Sequence, residues 1–598
     1  MKPIRLLRTE GINRLKAAYL AKEVTPEEVI LSIKQEAERL KDHNIWITPP
    51  DDRFIKPFIE KLGAPDFENK PLWGVPFAVK DNIDLSPLNT TAGCVSFGYS
   101  AKNHAFAVEK LVEAGALPIG KTNMDQFATG LVGTRSPFGV TTHPDRPDLI
   151  SGGSSSGSAI AVACGLASFA LGTDTAGSGR VPAAFNEIVG FKPTRGLISC
   201  TGVVPACKSL DCVSIFTNNV SDAAMIAQIC AIFDENDTFA RRNQHNNEFR
   251  NFGAYTDKLR LGFINPEWVS SQGSTSYSNA YKDSLRQLEK AGVHLFELDF
   301  DLLYEVGQEL YSGPWVAERS LTFGDFLDRD AKDIIPVTDQ IIKAGRSKTA
   351  EEFFSVLYRV KDSKRSFMKK MQDIDALITP TVPRHFSINE VQQNPIETNN
   401  TLGIFTNHMN IMDFCGIAIP ANRTREGSPF GISLIADCMH DAKLLSIAAV
   451  VERILRRDKW VPPRKKYSAE HMIELVVCGA HLSGMPLNHQ LTTLGAELIE
   501  VTSTADEYKL YALAGDGIER PGLVHDNEEG SMIDVEIWRM PISNFGIFIA
   551  GIPRPLGIGK VKVKNGQLKP GFICEVSGIE GATDITNLGG WRNYVGAS

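Results

Sequence analysis

The sequence predicts an α/β protein: a mixed β-sheet covered by helices, followed by a smaller α+β domain. Three observations carry that reading. Apolar strand-like runs alternate with helical patterns from residue 70 to 215, the pattern of a sheet with helices on both faces. A charged, proline-bearing segment, Arg456 to Lys466, follows the amphipathic run Ala442 to Leu455 and reads as a linker. Beyond it, short strand-like runs lead to the hairpin signal Asn565-Gly566. The domains are therefore set at 1–457 and 470–598, with a linker over 458–469.

Length alone, at 598 residues, allows about four domains. The formal net charge of −8 argues against nucleic acid and against anionic membrane surfaces as partners. Ten cysteines lie scattered without C-x-x-C spacing, which suits reduced thiols of a cytosolic protein rather than disulfides or a zinc site. Charges in the first residues are too closely spaced for a signal peptide, and no run of 18 apolar residues suggests a membrane span. No His/Cys cluster with ligand spacing, no dinucleotide fingerprint and no biotin-attachment segment stands out, so neither metal nor organic cofactor is expected.

In chain order, Leu15 to Tyr19 and Glu27 to Leu40 read as amphipathic helices, the second opened by Thr25 as N-cap and Pro26 at the first helical position. Pro71 to Val79 is an extended apolar run ending in Lys80. Burial there would lower the pKa of the lysine, whereas a solvated lysine is the bland alternative. Ala116 to Gly120 is a strand, followed by a loop over Lys121 to Asp125. In the tail, Leu475 to Gly479, Ile533 to Trp538 and Phe545 to Ala550 read as strands, and Val561 to Lys564 runs into the hairpin turn.

The chain is organised around Ser151 to Gly196, which has small-residue loops at Ser154 and Ser178 and an apolar middle, Ala159 to Leu171, suited to a buried helix and a short strand. Gly153 to Gly157 formally matches a nucleophile elbow with Ser155 as nucleophile, but HPDRPDLISGG before it reads as loop rather than strand. A phosphate cradle is a second reading, without the Lys-Ser/Thr of a P-loop. The third is a pair of hydroxyls served by a lysine. A flexible surface loop is the bland alternative. A serine hydroxyl needs a base, and none of the 12 histidines lies in this stretch. A desolvated lysine is the recognised substitute.

Three segments occur in order: Gly74-Val75-Pro76-Phe77-Ala78-Val79-Lys80-Asp81, Gly120 to Phe127, and the stretch from GGSSSGS to GTDTAGSGRVPAAFNEIVGFKPTRG. Together they resemble the amidase signature family over roughly residues 10–455. The resemblance implies the amidase signature fold, Ser178 as nucleophile, Ser154 as bridging hydroxyl behind a cis Gly153–Ser154 peptide, and Lys80 as base. Backbone N–H groups of Thr175, Ala176, Gly177 and Ser178 are candidates for the oxyanion hole. Asp174 and Arg180 flank the site as scaffold hydrogen bonders or a structural ion pair.

Within that family, Tyr311-Ser312-Gly313-Pro314-Trp315-Val316-Ala317-Glu318-Arg319 resembles the segment by which allophanate hydrolases grip their substrate. The resemblance implies Tyr311 and Arg319 as substrate-binding residues. A guanidinium fork matches the carboxylate of allophanate, whereas a surface ion pair with Glu318 or a neighbour is the bland alternative. The tail segments GAHLSGMPLNHQL, GIPRPLGIGKV and DITNLGGWRNYV are similar to the C-terminal domain of those hydrolases, and more loosely to the gamma-glutamyl cyclotransferase-like fold. The resemblance further implies a cytoplasmic homodimer that converts allophanate (urea-1-carboxylate) to ammonia and carbon dioxide. His489 is nominated for decarboxylating the N-carboxycarbamate left by the first step, whereas a histidine that packs structurally, or a tail that only supports assembly, is the bland alternative. The substrate would come from a urea carboxylase, separate or fused, or from cyanuric acid or biuret degradation. The rivals are another small-amide hydrolase, an amidotransferase subunit, and a scaffold that keeps only the amidase shape.

Overall fold

A computed structural model of the protein describes residues 2–249, 252–253, 259–329, 333–456, 472–513 and 519–597, without the side chains of residues 2, 489, 493, 543, 547 and 597. The linker expected over 458–469 lies outside the described residues. The chain divides into two compact units. The larger holds the elements up to Leu455, the smaller those from Met472 on.

In the larger unit, eleven strands form one sheet: β1 (Trp46–Thr48), β2 (Pro76–Lys80), β3 (Leu117–Thr122), β4 (Phe169–Asp174), β5 (Val189–Lys192), β6 (Cys212–Thr217), β7 (Arg260–Phe263), β8 (His294–Glu297), β9 (Ala376–Pro380), β10 (Phe414–Pro420) and β11 (Gly431–Asp437). Their spatial order is β1-β3-β2-β4-β6-β5-β10-β11-β9-β7-β8. The sheet is mixed: β2 runs parallel to β3 and β4, and β4 antiparallel to β6. Every residue of β2 to β6 is buried, so these strands lack the polar alternation of a half-exposed sheet, and the polar residues they carry are sealed with the apolar ones.

The helix Ser156–Ala163 is buried along its whole length. Its small residues permit this: a Cβ on Gly157 would stand 2.3 Å from the Ile45 carbonyl. The N-terminal helices span Gly11–Leu20 and Pro26–Arg39, and Thr25 and Glu28 close a capping box on the second. Lys121 and Thr122 belong to β3 rather than to a loop. Thr122 pairs with Lys80 on one side and Trp46 on the other, and the Lys121 ammonium is sealed against Thr90 Oγ1 (2.9 Å) and Asp81 (3.5 Å). The strand expected to end at Gly120 thus continues two residues further, because buried partners carry the Lys121 charge inside the sheet.

The smaller unit is α+β. Its five-stranded sheet comprises β12 (Met472–Val477), β13 (Glu497–Ser503), β14 (Asp534–Pro541), β15 (Leu556–Lys562) and β16 (Leu568–Cys574), ordered β13-β14-β12-β16-β15. Beside it lies a three-stranded sheet of Pro521–His525, Tyr508–Ala512 and Thr583–Asp584. The hairpin turn at Asn565-Gly566 joins β15 and β16, with Gly566 at φ +82°. The strand expected over Phe545 to Ala550 is instead part of a helix, Ile542–Ala550. An apolar run that short suits either element, and packing decides: Phe548 joins the core of Leu475, Val477, Trp538 and Trp591. No helix among the described residues is long and apolar enough to cross a membrane.

Candidate active site

β2 ends in Lys80, and β4, its parallel neighbour, ends in Thr173-Asp174. The Lys80 ammonium is fully buried and donates to Ser154 Oγ and Thr173 Oγ1, both at 2.7 Å. Asn82 Nδ2 also donates to Thr173 Oγ1, at 3.3 Å, and to the Val204 carbonyl. Burial pulls the Lys80 pKa down to about 7 against the pull of Asp125, Asp211 and Asp174, with Arg319 adding to the fall. A lysine so placed is available as a base near neutrality.

Ser154 sits just before the helix Ser156–Ala163, and the Gly153–Ser154 peptide is cis. Glycine is required at 153, because a Cβ there would lie 2.0 Å from Asp125 Oδ2. Asp125 in turn shapes the facing loop by accepting from the N–H groups of Val132, Gly133 and Arg135 at 3.2, 3.0 and 2.9 Å.

Ser178 lies between β4 and the helix Val181–Phe185, and its hydroxyl donates to the Gly130 carbonyl at 3.4 Å. Asp174 builds this turn. Its carboxylate accepts from Gly177 N (2.9 Å), Gly179 N (3.0 Å) and, bidentately, from Arg180 (2.9 and 2.8 Å). Both members of the pair are fully buried. Burial pushes the Asp174 carboxyl up, but Arg180 and the backbone donors outweigh it and hold the group below its ordinary value. The guanidinium continues to the Thr406 carbonyl (3.1 Å) and Asn410 Oδ1 (3.2 Å), so the pair is part of a satisfied network. The Gly177 N–H is thereby committed to Asp174, which narrows the oxyanion candidates to Thr175, Ala176 and Ser178. Gly177 itself has φ +139°, and a Cβ would meet Thr406 Oγ1 at 2.4 Å.

A second carboxylate, Asp211, braces the same turn. It is buried, receives the Thr175 hydroxyl, and accepts from Ala206 N (2.7 Å) and Cys207 N (3.2 Å). Burial raises its pKa to about 6. Two residues earlier, Ser209 donates its N–H (3.1 Å) and hydroxyl (2.6 Å) to Glu318. Loop 206–211 therefore fastens the Thr175 turn to the helix Val316–Leu327, which carries Arg319.

Arg319 is buried, and Glu318 is bonded to Ser209 instead of to it, so the surface ion-pair alternative does not describe this arginine. Its Nη1 donates to Thr129 Oγ1 (2.9 Å) and reaches the Ala128 carbonyl (3.5 Å). Its Nη2 is sealed from solvent with no partner, as is the Tyr311 hydroxyl, and the Tyr311 ring lies 5.5 Å from the guanidinium. The segment Ala128–Gly130 thus touches Arg319 at one end and receives the Ser178 hydroxyl at the other.

Of the sequence-predicted residues, Lys80 and Ser154 are joined directly. Ser178 and Arg319 both bond to the Thr129–Gly130 segment, and the Tyr311 ring lies against the Arg319 guanidinium. Ser155, the alternative elbow nucleophile, is occupied structurally: its hydroxyl donates to the Thr173 carbonyl at 3.2 Å. The phosphate-cradle alternative loses its donors, since Gly153 N and Gly157 N bind the Leu131 and Asn123 carbonyls. His489 lies in the helix Asn488–Thr493, and its side chain is outside the described residues. Thr173, Asn82, Asp125 and Asp211 were not singled out from sequence. All but Asp211 lie in the three matching segments or directly beside them, and Asp211 carried no local signal.

Comparison with known proteins agrees with this geometry. The Amidase family matches residues 55–445, and the Allophanate hydrolase C-terminal domain matches residues 473–596. The urea amidolyase of Saccharomyces cerevisiae is 40% identical over 553 residues, covering 88% of this chain and 30% of that protein, so this chain spans about a third of its curated relative. A glutamyl-tRNA(Gln) amidotransferase subunit of Chlorobium phaeobacteroides is 30% identical over 481 residues, covering 74% of this chain and 98% of that protein. Among solved structures, the Kluyveromyces lactis allophanate hydrolase superposes with a TM-score of 0.73 at 36% identity, covering 99% of this chain and 100% of that one. With the amidase match spanning residues 55–445, and with the lysine and serines assembled where β2 and β4 end, the chain belongs to the amidase family.

Proposed function

We propose that the chain hydrolyses allophanate, with Ser178 as nucleophile, Ser154 as proton relay and Lys80 as base. The observation that carries the substrate is the unpaired, buried Nη2 of Arg319 beside the unpaired Tyr311 hydroxyl, fastened through Thr129–Gly130 to the nucleophile. Such donors are costly unless a ligand completes them, and a carboxylate next to the scissile amide does so. Likeness to the urea amidolyase and to the K. lactis allophanate hydrolase supports the same substrate.

In this reading Ser178 Oγ adds to the amide carbon as its proton passes through Ser154 to Lys80. The oxyanion collects on the backbone N–H groups of Thr175, Ala176 and Ser178. The proton returns by the same route to the leaving nitrogen, ammonia departs, and water then cleaves the acyl-enzyme to give N-carboxycarbamate. Loss of carbon dioxide from that product is assigned to the smaller unit, with His489 supplying the proton. The linker 458–469 joins the two domains, 1–457 and 470–598.

A urea carboxylase, fused or separate, is the supplier that fits the urea amidolyase relative. The cytosolic setting rests on all ten cysteines being free. We extend the reading to a homodimer, which sedimentation of the purified chain checks.

The test is ammonia release from allophanate and from uncharged aliphatic amides, by wild type and Arg319→Ala. Preference for allophanate that disappears in the variant supports the assignment. Inertness toward allophanate with turnover of neutral amides overturns the substrate. For the second step, His489→Ala should release the first ammonia normally and accumulate N-carboxycarbamate. Unchanged carbon dioxide release, where spontaneous loss is slow, removes His489 from the scheme.

A further inference from the structure

A cavity of about 590 Å³ in the larger unit shares no residue with the amidase machinery described above. Six arginines line it, Arg5, Arg8, Arg14, Arg146, Arg423 and Arg456, against three carboxylates. On a chain of formal net charge −8, that is a local reversal of sign. The size falls within the range of small-molecule sites, about 300–1,000 Å³.

The carboxylates satisfy the guanidinium groups only in part: Arg14 pairs with Glu23 (3.0 Å) and Glu10 (3.3 Å). Glu187 gives both oxygens to Arg423, at 2.9 and 2.6 Å, and meets Arg146 Nη1 at 3.4 Å, while Arg146 Nη2 donates to the Phe185 carbonyl at 3.2 Å. Asp145 stands 3.7 Å from Arg8, beyond hydrogen-bond length. Arg456 spends Nη1 on Glu452 (3.0 Å) and the Asn218 carbonyl (3.1 Å), while its Nε is sealed from solvent without a partner. Arg146 and Arg456 are the most enclosed of these side chains, at 14% and 12% exposure, so water compensates them poorly. Burial presses on the Arg146 charge and the neighbouring Arg423 adds to it, against the pull of Glu187 and Asp145.

The arginines come from separate elements: the helix Lys2–Thr9, the helix Gly11–Leu20, the loop at 146, the loop at 423 and the end of the helix Asp441–Leu455. A single carboxylate fills one fork. Forks converging from several directions match an anion with oxygens on several sides. We propose that this cavity binds a phosphate-bearing small molecule, whose oxygens are taken by Arg146, Arg423 and Arg456. One wall of the cavity is the segment at Asn186, whose Nδ2 donates to the Ser151 carbonyl (2.8 Å) and the Pro182 carbonyl (2.7 Å). The site therefore backs onto the backbone that leads to Ser154 and the helix that follows Ser178.

Isothermal titration of the full chain at physiological ionic strength tests this, with pyrophosphate, tripolyphosphate and ADP as probes. The expected result is saturable one-site binding, weakened about tenfold or more in Arg146→Gln and Arg423→Gln and unchanged in Arg286→Gln, an exposed arginine outside the cavity. Tighter binding of ADP than of pyrophosphate assigns a nucleotide, and the reverse order assigns a free oligophosphate. No saturable binding at millimolar probe overturns the proposal. So does binding that Arg146→Gln and Arg423→Gln leave intact, or that Arg286→Gln weakens equally. Should Arg146→Gln fail to fold, the half-exposed Arg423→Gln carries the test alone.

Discussion

Lys80 Nζ stands 2.7 Å from Ser154 Oγ, and both side chains are sealed from solvent. That relationship fixes the direction of the pH response. A lysine whose pKa is pulled from 10.5 to about 7 is protonated, and useless as a base, at pH values below about 7. Activity on allophanate should therefore rise as pH increases through about 7. Arg319 contributes to the lowering, so Arg319→Gln should move this limb to higher pH. Thr173→Val removes an acceptor from the ammonium and should move it lower. A pH–rate profile of kcat/KM for each variant checks both signs.

The fork geometry of Arg319 gives a second prediction. Arg319→Lys keeps the charge but loses the second, unpaired donor, and should depress kcat/KM for allophanate by about tenfold or more. Neutral amides should change much less. Steady-state kinetics on the two substrate classes separate the effects.

Asp211 touches the Thr175 turn on one side and the Ala206–Cys207 backbone on the other. Asp211→Asn replaces one acceptor oxygen by a donor and should loosen the turn without removing any substrate contact. kcat should fall by about ten- to a hundredfold while KM stays within about threefold. A matching rise in KM would assign Asp211 to binding.

The Asp174–Arg180 pair is a stability prediction. Removing one partner leaves a fully buried charge, so Asp174→Asn or Arg180→Met should cost the larger unit about 3–5 kcal/mol. Urea denaturation monitored by tryptophan fluorescence measures it.

Much of this site was legible because its residues lie in short segments where sequence and local structure coincide. Lys80 ends an apolar run, and Ser154 and Ser178 each precede a helix, so residue type and position agree. Tyr311 and Arg319 became legible only through resemblance, since an arginine beside a glutamate reads equally as a surface pair until Ser209 is seen to take Glu318. Asp211 was not legible, because its partners are brought to it by the fold. In the tail, Phe545 to Ala550 misled for a related reason: a short apolar run carries no period that separates a strand from a helix. Lys121 misled in the opposite direction, its charge hidden by Thr90 and Asp81 from elsewhere in the chain.

The most direct test of the central claim is ammonia release from allophanate by wild type, Ser178→Ala and Lys80→Ala, with Ser178 examined for a covalent adduct by mass spectrometry. The account predicts an active wild type with an acyl group on Ser178. It also predicts loss of about a thousandfold or more in each variant. Substantial ammonia release by folded Ser178→Ala, or an acyl group on Ser155 or another residue, would contradict it.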